Sequence, residues 1–163
     1  MPGLRIKSDA FDEIVLPVPT LVGANLAGLN LHRAHMAGMD LSGADLSGAN
    51  LRYIWLQRAT LVGIDLRGAN LEGCHAEGSD LSGADLSDCI LVASDFKDAN
   101  LNGANLSGAI ALWTCLVGAD LRGADLRWER FDNVELSGAT ANSDTLWPKD
   151  FVVEDYQLVW EGR

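Results

Sequence analysis

The chain has 163 residues, 48% of them hydrophobic, enough apolar material for one domain with its own core and too much for a disordered chain. A formal net charge of −11 disfavours direct binding to nucleic acid or an anionic membrane and suits a partner with a basic surface. No apolar run approaches bilayer-spanning length, and three cysteines without a secretory pattern ahead of them predict a reducing, cytoplasmic setting.

Residues 1–18 carry no repeat. Ile6, Phe11 and Leu16 are spaced by five, but the residues around them do not match the unit that begins at residue 19, and Pro17 and Pro19 set an extended entry. This segment is predicted to be an N-terminal cap, because a repeat array leaves its first apolar layer bare.

Residues 19–148 are built from a five-residue unit: small residue, Asp or Asn, Leu, polar residue, Gly. The stretch MDLSG-ADLSG-ANL from Met39 to Leu51 is its cleanest sample. With Leu as the centre of the unit, centres fall every five residues from Leu21 through Leu26, Leu31, Met36 and Leu41 to Leu146, in what reads as one unbroken phase. An α-helix advances about 100° per residue, so a centre every fifth position would wander around the helix and bury nothing. A flat strand alternates faces, so successive centres would point to opposite sides. The chain must therefore bend once per unit. The small residue and the centre lie two apart and share a face, and Gly supplies the positive φ of the corner.

The irregular units indicate how many corners close one turn. Gly is missing after the centre at Arg33, Tyr53, Ala93, Trp113 and Asn133, positions related by multiples of twenty. The Asp/Asn position shows the same interval in His35, Trp55, His75, Asp95, Cys115 and Glu135. These intervals imply four units per coil, and with them an all-β solenoid of square cross-section with about 6.5 coils. Leu26, Leu46, Leu66, Leu86, Leu106, Leu126 and Leu146 are expected to stack as one interior column. Ala recurs beside them because the bore has no room for more. Cys74 and Cys89 occupy small-residue positions and are expected to be buried, inert thiols. The Asp and Asn side chains are expected to bond to the backbone of the corners.

Residues 149–163 leave the repeat again. They are too apolar for a loose tail, so they are expected to cover the last coil or join two copies into a homodimer through Phe151, Val153 and Trp160.

Enzymatic chemistry finds no support in the sequence. His75, Asp95 and Cys115 are metal-ligand types in one column, but neighbours about 4.8 Å apart put the ends of the trio nearly 10 Å apart, beyond the reach of one zinc ion. Cys115 has Asp95 and Glu135 as column neighbours, and acidic neighbours disfavour a thiolate. The glycines are periodic turn residues, not a phosphate loop. No cofactor and no catalytic group is expected. The residues that depart from the unit carry the functional weight: Arg33, His35, Arg52, Tyr53, Trp55, Trp113, Trp128 and Arg130, at nominally outward or corner positions. Trp, Tyr and Arg are the types most enriched in binding hot spots, so these residues are the candidate contacts for a protein partner. Arg52 and Glu72 are column neighbours and are placed to pair.

The tandem A-[DN]-L-x-G unit resembles the pentapeptide-repeat family over about four fifths of the chain. The resemblance implies a right-handed quadrilateral β-helix, mostly non-enzymatic roles and, in one branch, dimers joined near the C-terminal end. That branch binds DNA gyrase and topoisomerase IV as an acidic imitation of duplex DNA. Its repeats often carry Phe centres and inserted loops, whereas this chain has Phe only at the centres Phe96 and Phe131 and is similar to the Leu-rich bacterial members of unassigned role. The two functions expected are a non-catalytic interaction scaffold and, as the alternative, a DNA-imitating topoisomerase binder.

Overall fold

The computed structural model describes residues 3–11 and 13–162; Met1, Pro2, Asp12 and Arg163, which belong to the two terminal segments, lie outside the described residues. Strands β1 (Leu4–Ile6) and β2 (Ile14–Leu16) form an antiparallel hairpin with Leu4 opposite Leu16. Alternation buries Ile6 and Leu16 and leaves Arg5 and Val15 outside. The hairpin lies against the first repeats. The Lys7 carbonyl accepts the His35 amide at 2.8 Å, and the Arg33 carbonyl accepts the Asp9 amide at 3.1 Å.

The array climbs in steps of twenty residues. Single-residue parallel bridges join Asn25 to Asp45, Asp45 to Asp65, Asp65 to Asp85 and Asp85 to Asn105. Three further columns start at Asn30, His35 and Asp40, so four units make one turn and each turn has four sides. The pairing lengthens to three residues where β3 (Ile110–Leu112) runs parallel to β4 (Arg130–Asp132).

The unit accounts for all five of its amides. The centre donates up the shaft, as Leu26 does to the Asp45 carbonyl at 2.7 Å. The Asp/Asn position donates down, as Asp45 does to the Ala24 carbonyl at 2.9 Å. Gly donates up, as Gly23 does to the Ser42 carbonyl at 2.9 Å, and the small residue closes the corner, as Ala24 does to the Leu21 carbonyl at 3.0 Å. The polar residue has no carbonyl to reach, so its amide donates to the Asp or Asn side chain two residues earlier, as Ser47 does to Asp45 Oδ1 at 2.9 Å. That last bond is why the unit needs Asp or Asn beside the centre.

Centres and small residues fill the interior; Leu26, Leu46, Leu66, Leu86, Leu106 and Leu126 are buried, as are Cys74 and Cys89. The corners need a left-handed residue. Gly supplies it in most units, and Arg33, Tyr53, Arg58, Asp88, Ala93, Asp98, Trp113 and Asn133 adopt φ of 50–59° where Gly is missing. Arg58, Asp88 and Asp98 do the same job on other corners, so the loss of Gly is not confined to the one column that the sequence singles out.

Two expectations are corrected near the end of the array. The phase breaks once: Asp125 bridges Leu146, one residue beyond the regular step, because the turn at Asn142–Thr145 takes up an extra residue. Asn142 holds that wider turn by accepting the amides of Gly123 at 3.0 Å and Asp144 at 3.1 Å. Thr145 therefore occupies the buried seat, and Leu146, expected in the interior column, is 45% exposed. The second correction is Trp128. Its amide bonds to the Leu126 carbonyl at 2.6 Å, the corner turns inward, and the indole is 5% exposed rather than outward.

The tail is ordered by aromatic packing. Phe151 stacks on Trp147 at 4.8 Å and on Tyr156 at 4.7 Å, with Phe131 and Trp128 meeting its edges. A short 3-10 turn, Val153–Asp155, comes next. Strand β6 (Val159–Trp160) then runs parallel to β5 (Thr140–Ala141), so the tail prolongs the ladder rather than hanging free.

Candidate interaction surface

The side that begins at His35 departs from the regular unit in its first three turns, before Asp95 accepts the Lys97 amide at 2.9 Å. On the other sides Asp and Asn accept the amide two residues ahead, including Asp40, Asp65, Asp80, Asp85, Asn100 and Asp125. His35, Trp55 and His75 are not built for that bond. Their rings stack instead along the shaft, His35 on Trp55 at 5.7 Å and 29°, and Trp55 on His75 at 4.7 Å and 26°. The spacing comes from the ladder, which sets one ring per turn. Asp9 from the hairpin closes the lower end with Oδ1 2.7 Å from His35 Nε2, and Glu77 Oε1 lies 3.8 Å from His75 Nδ1.

The neighbouring corner carries Tyr53, in the left-handed region at φ 54°. Its ring lies over Gly73 one turn higher; a Cβ there would sit 2.5 Å from ring carbons. Two guanidiniums approach the same ring, Arg33 at 5.6 Å and Arg52 at 5.7 Å, and His32 lies 5.9 Å away. Arg52 pairs with Glu72 at 2.9 Å, and the Tyr53 hydroxyl donates to the same carboxylate at 3.3 Å. Asp9, Arg33, Tyr53, Trp55 and His75 together line a cavity of about 280 Å³.

Five of the eight candidate contacts thus come together: Arg33, His35, Arg52, Tyr53 and Trp55. Trp113 and Arg130 form a second patch about three turns up. Trp113 is 60% exposed and shares a cavity of about 380 Å³ with Leu112, Glu129, Arg130, Phe131 and Asp132. Trp128 belongs to the interior. Of the residues expected at a dimer contact, Phe151 is engaged within its own chain, Val153 is half-buried, and Trp160 is exposed. Sequence reasoning missed Asp9 and Glu77. The twenty-residue column already held His35, Trp55 and His75, but nothing in it pointed to the hairpin.

The acidic sides are internally compensated. Arg67 makes two bonds to Asp65 at 2.9 and 2.6 Å, Arg122 two to Asp120 at 2.8 and 2.5 Å, and Arg127 two to Asp125 at 2.9 and 2.5 Å. These arginine bonds hold the three carboxyls below the usual carboxylate range. Burial pushes Cys74 and Cys89 up to about 12 and raises Cys115 as well, which disfavours the thiolate form in all three. Among the described residues no group of three His, Cys, Asp or Glu side chains is arranged to hold a metal ion.

Three solved structures are similar to the chain. The chain is 27% identical to a pentapeptide repeat protein of the Arabidopsis thaliana thylakoid lumen, over 66% of this chain and 68% of that one, with a TM-score of 0.44. It is 29% identical to HetL, a pentapeptide repeat protein involved in heterocyst differentiation regulation in the cyanobacterium Nostoc, over 74% of this chain; it spans 59% of HetL's length, with a TM-score of 0.33. It is 16% identical to full-length QnrB1, a plasmid-mediated fluoroquinolone resistance protein, over 88% of this chain and 92% of that one, with a TM-score of 0.42. No curated protein matches the chain. The family model for pentapeptide repeats matches 8 copies across residues 21–52, 54–88 and 89–127. With that match covering well over half of its length, the chain belongs to the pentapeptide-repeat family.

Proposed function

We propose that this protein is a non-catalytic interaction scaffold that binds a protein partner through the corner formed by Arg33, His35, Arg52, Tyr53 and Trp55. Pentapeptide-repeat proteins are generally structural or binding proteins without catalytic activity. The observation that carries the reading is the ring column. Trp55 and its two histidines stand where the unit calls for Asp or Asn, give up the amide bond that position exists to make, and leave Tyr53 and Trp55 37% and 36% exposed. Aromatic and Arg side chains held rigidly at a surface are the usual anchors of an interface. Trp113 and Arg130 offer a second contact on the same rod. The frame behind both patches is a right-handed four-sided β-helix of about 6.5 coils spanning 19–148, with 1–18 and 149–163 as caps. The three unpaired thiols favour a reducing, cytoplasmic setting.

The alternative, an acidic imitation of DNA that engages a topoisomerase, draws on the net charge of −11. Support for it is weaker, because much of that charge serves the corners and three arginines sit directly on the acidic sides.

Immobilised wild-type protein and a Tyr53→Ala/Trp55→Ala variant, matched for circular dichroism, are exposed to lysate of the source cell. A partner retained by the wild type and reduced about tenfold on the variant supports the assignment. Equal retention removes it.

A further inference from the structure

The charges around the ring column are only partly paired. Of the nearby carboxylates, Glu72 pairs with Arg52, while Asp9 and Glu77 lie 2.7 and 3.8 Å from ring nitrogens of His35 and His75. Lys7, Arg33 and Arg58 are left without a carboxylate partner among the described residues. Lys7 is tied to this site through its carbonyl, which holds the His35 amide. Arg33 and Arg58 occupy the corners on either side of the column, both in the left-handed region. A protein of net charge −11 thus presents cations without carboxylate partners beside its stacked ring column.

The donors there point the same way. Both faces of the Trp55 indole are covered by histidines, so Trp55 presents its edge, and its N–H meets no acceptor among the described residues. A ring covered on both faces offers no free face on which a nucleobase could stack. An edge N–H and guanidiniums call for oxygen acceptors. Two cavities flank the Trp55 ridge. One, of about 280 Å³, is lined by Asp9, Arg33, Tyr53, Trp55 and His75; the other, of about 480 Å³, holds Gln57, Arg58 and Glu77. The first is slightly below the usual range for a small-molecule site, and both are open on the surface. They suit side chains from one extended segment crossing the ridge.

Resting on the interaction reading, we infer that this surface docks an acidic segment of a partner protein. One Asp or Glu of the segment seats against Arg33 in the first cavity, and a second meets Arg58 across the Trp55 ridge. The rings supply the apolar contact and the two guanidiniums supply the sign selection.

The test is a random dodecapeptide display library panned on the wild-type protein and counter-selected on the Tyr53→Ala/Trp55→Ala variant. The enriched peptides are then titrated by fluorescence anisotropy. The expected peptides are rich in Asp and Glu, bind more weakly as salt rises, and lose about tenfold or more in affinity on Arg33→Glu/Arg58→Glu. Arg33→Gln/Arg58→Gln, which removes charge without reversing it, gives a smaller loss at an unchanged melting temperature. Peptides that depend on Trp55 but are neutral or basic, and are indifferent to the arginine changes, overturn the acidic partner and leave the interaction surface standing. Failure to enrich any Trp55-dependent peptide overturns both.

Discussion

A single oxygen of Asp85 shows what this fold asks of a residue. Oδ1 accepts the Ser87 amide at 3.0 Å and the Asn105 side-chain amide, one turn higher, at 3.2 Å. One side chain thus closes a corner and ties two turns together. Asp85→Ala is expected to cost about 1–2 kcal/mol in chemical unfolding, since it leaves a half-buried amide without its partner. Asp85→Asn, which keeps the accepting oxygen, is expected to cost clearly less; an equal loss from both would mean that charge, not the corner bond, matters. Charge enters at Asp65, Asp120 and Asp125, whose carboxyls the arginines hold below the usual carboxylate range. A carboxyl with a lowered folded-state pKa adds stability above its unfolded value near 3.9, and that contribution is lost as pH falls through the lowered folded value. The melting temperature is therefore expected to be flat from neutral pH down to about pH 5 and to fall from about pH 4 downward. A melting temperature that rises on acidification below pH 4 would contradict these pairings. The corner role of Asp and Asn was legible in the sequence because it recurs in nearly every unit. The bond from Asp9 to His35 was not, because it joins residues 26 apart through a hairpin that shares no pattern with the array.

Among elements, the corner is the one that varies. Gly83 and Gly73 have almost the same backbone, φ of 64° and 65°, but nothing lies within 4 Å of a Cβ at Gly83, whereas the Tyr53 ring would be met at Gly73. Both Gly→Ala changes are expected to cost about 1–2 kcal/mol of stability through backbone strain alone. Only Gly73→Ala should also push the Tyr53 ring off its seat, because the ring is the free end of a side chain and yields before the backbone does. Equal stability loss with weakened partner binding for Gly73→Ala alone is the expected pattern. Partner binding unchanged by Gly73→Ala would separate Tyr53 from function. The twenty-residue turn was readable from where Gly fails, and the pairing columns keep to it. The extra residue at Asn142–Thr145 was not readable, because Leu146 keeps the arithmetic of the phase while the chain does not. Nor was Trp128: a large residue in place of a corner Gly reads as outward, and only the aromatic cluster of the tail, with Phe131 at 5.8 Å and Phe151 at 6.2 Å, gives it somewhere to go inside.

For the whole molecule, a regular frame explains the acidity and an irregular patch explains the rest. The tail prolongs the ladder and ends with Val159 and Trp160 exposed. Joining of two copies at this end remains our proposal, with Trp160 rather than Phe151 at the contact. Light scattering should give a mass near twice 17.5 kDa, and a mass near 17.5 kDa would contradict it. The central claim is that binding resides in the ring column and not in the acidic sides. It is tested most directly by measuring the affinity of the captured partner for two variants side by side. Tyr53→Ala/Trp55→Ala removes the rings. Asp45→Asn/Asp85→Asn/Asp125→Asn removes acidic charge yet keeps the corners, as Asn25 and Asn105 already do in the same column. The account predicts about tenfold weaker binding for the first and no change for the second. Loss of binding in the second with the first unaffected would contradict it and would return the acidic sides to the centre of this protein's function.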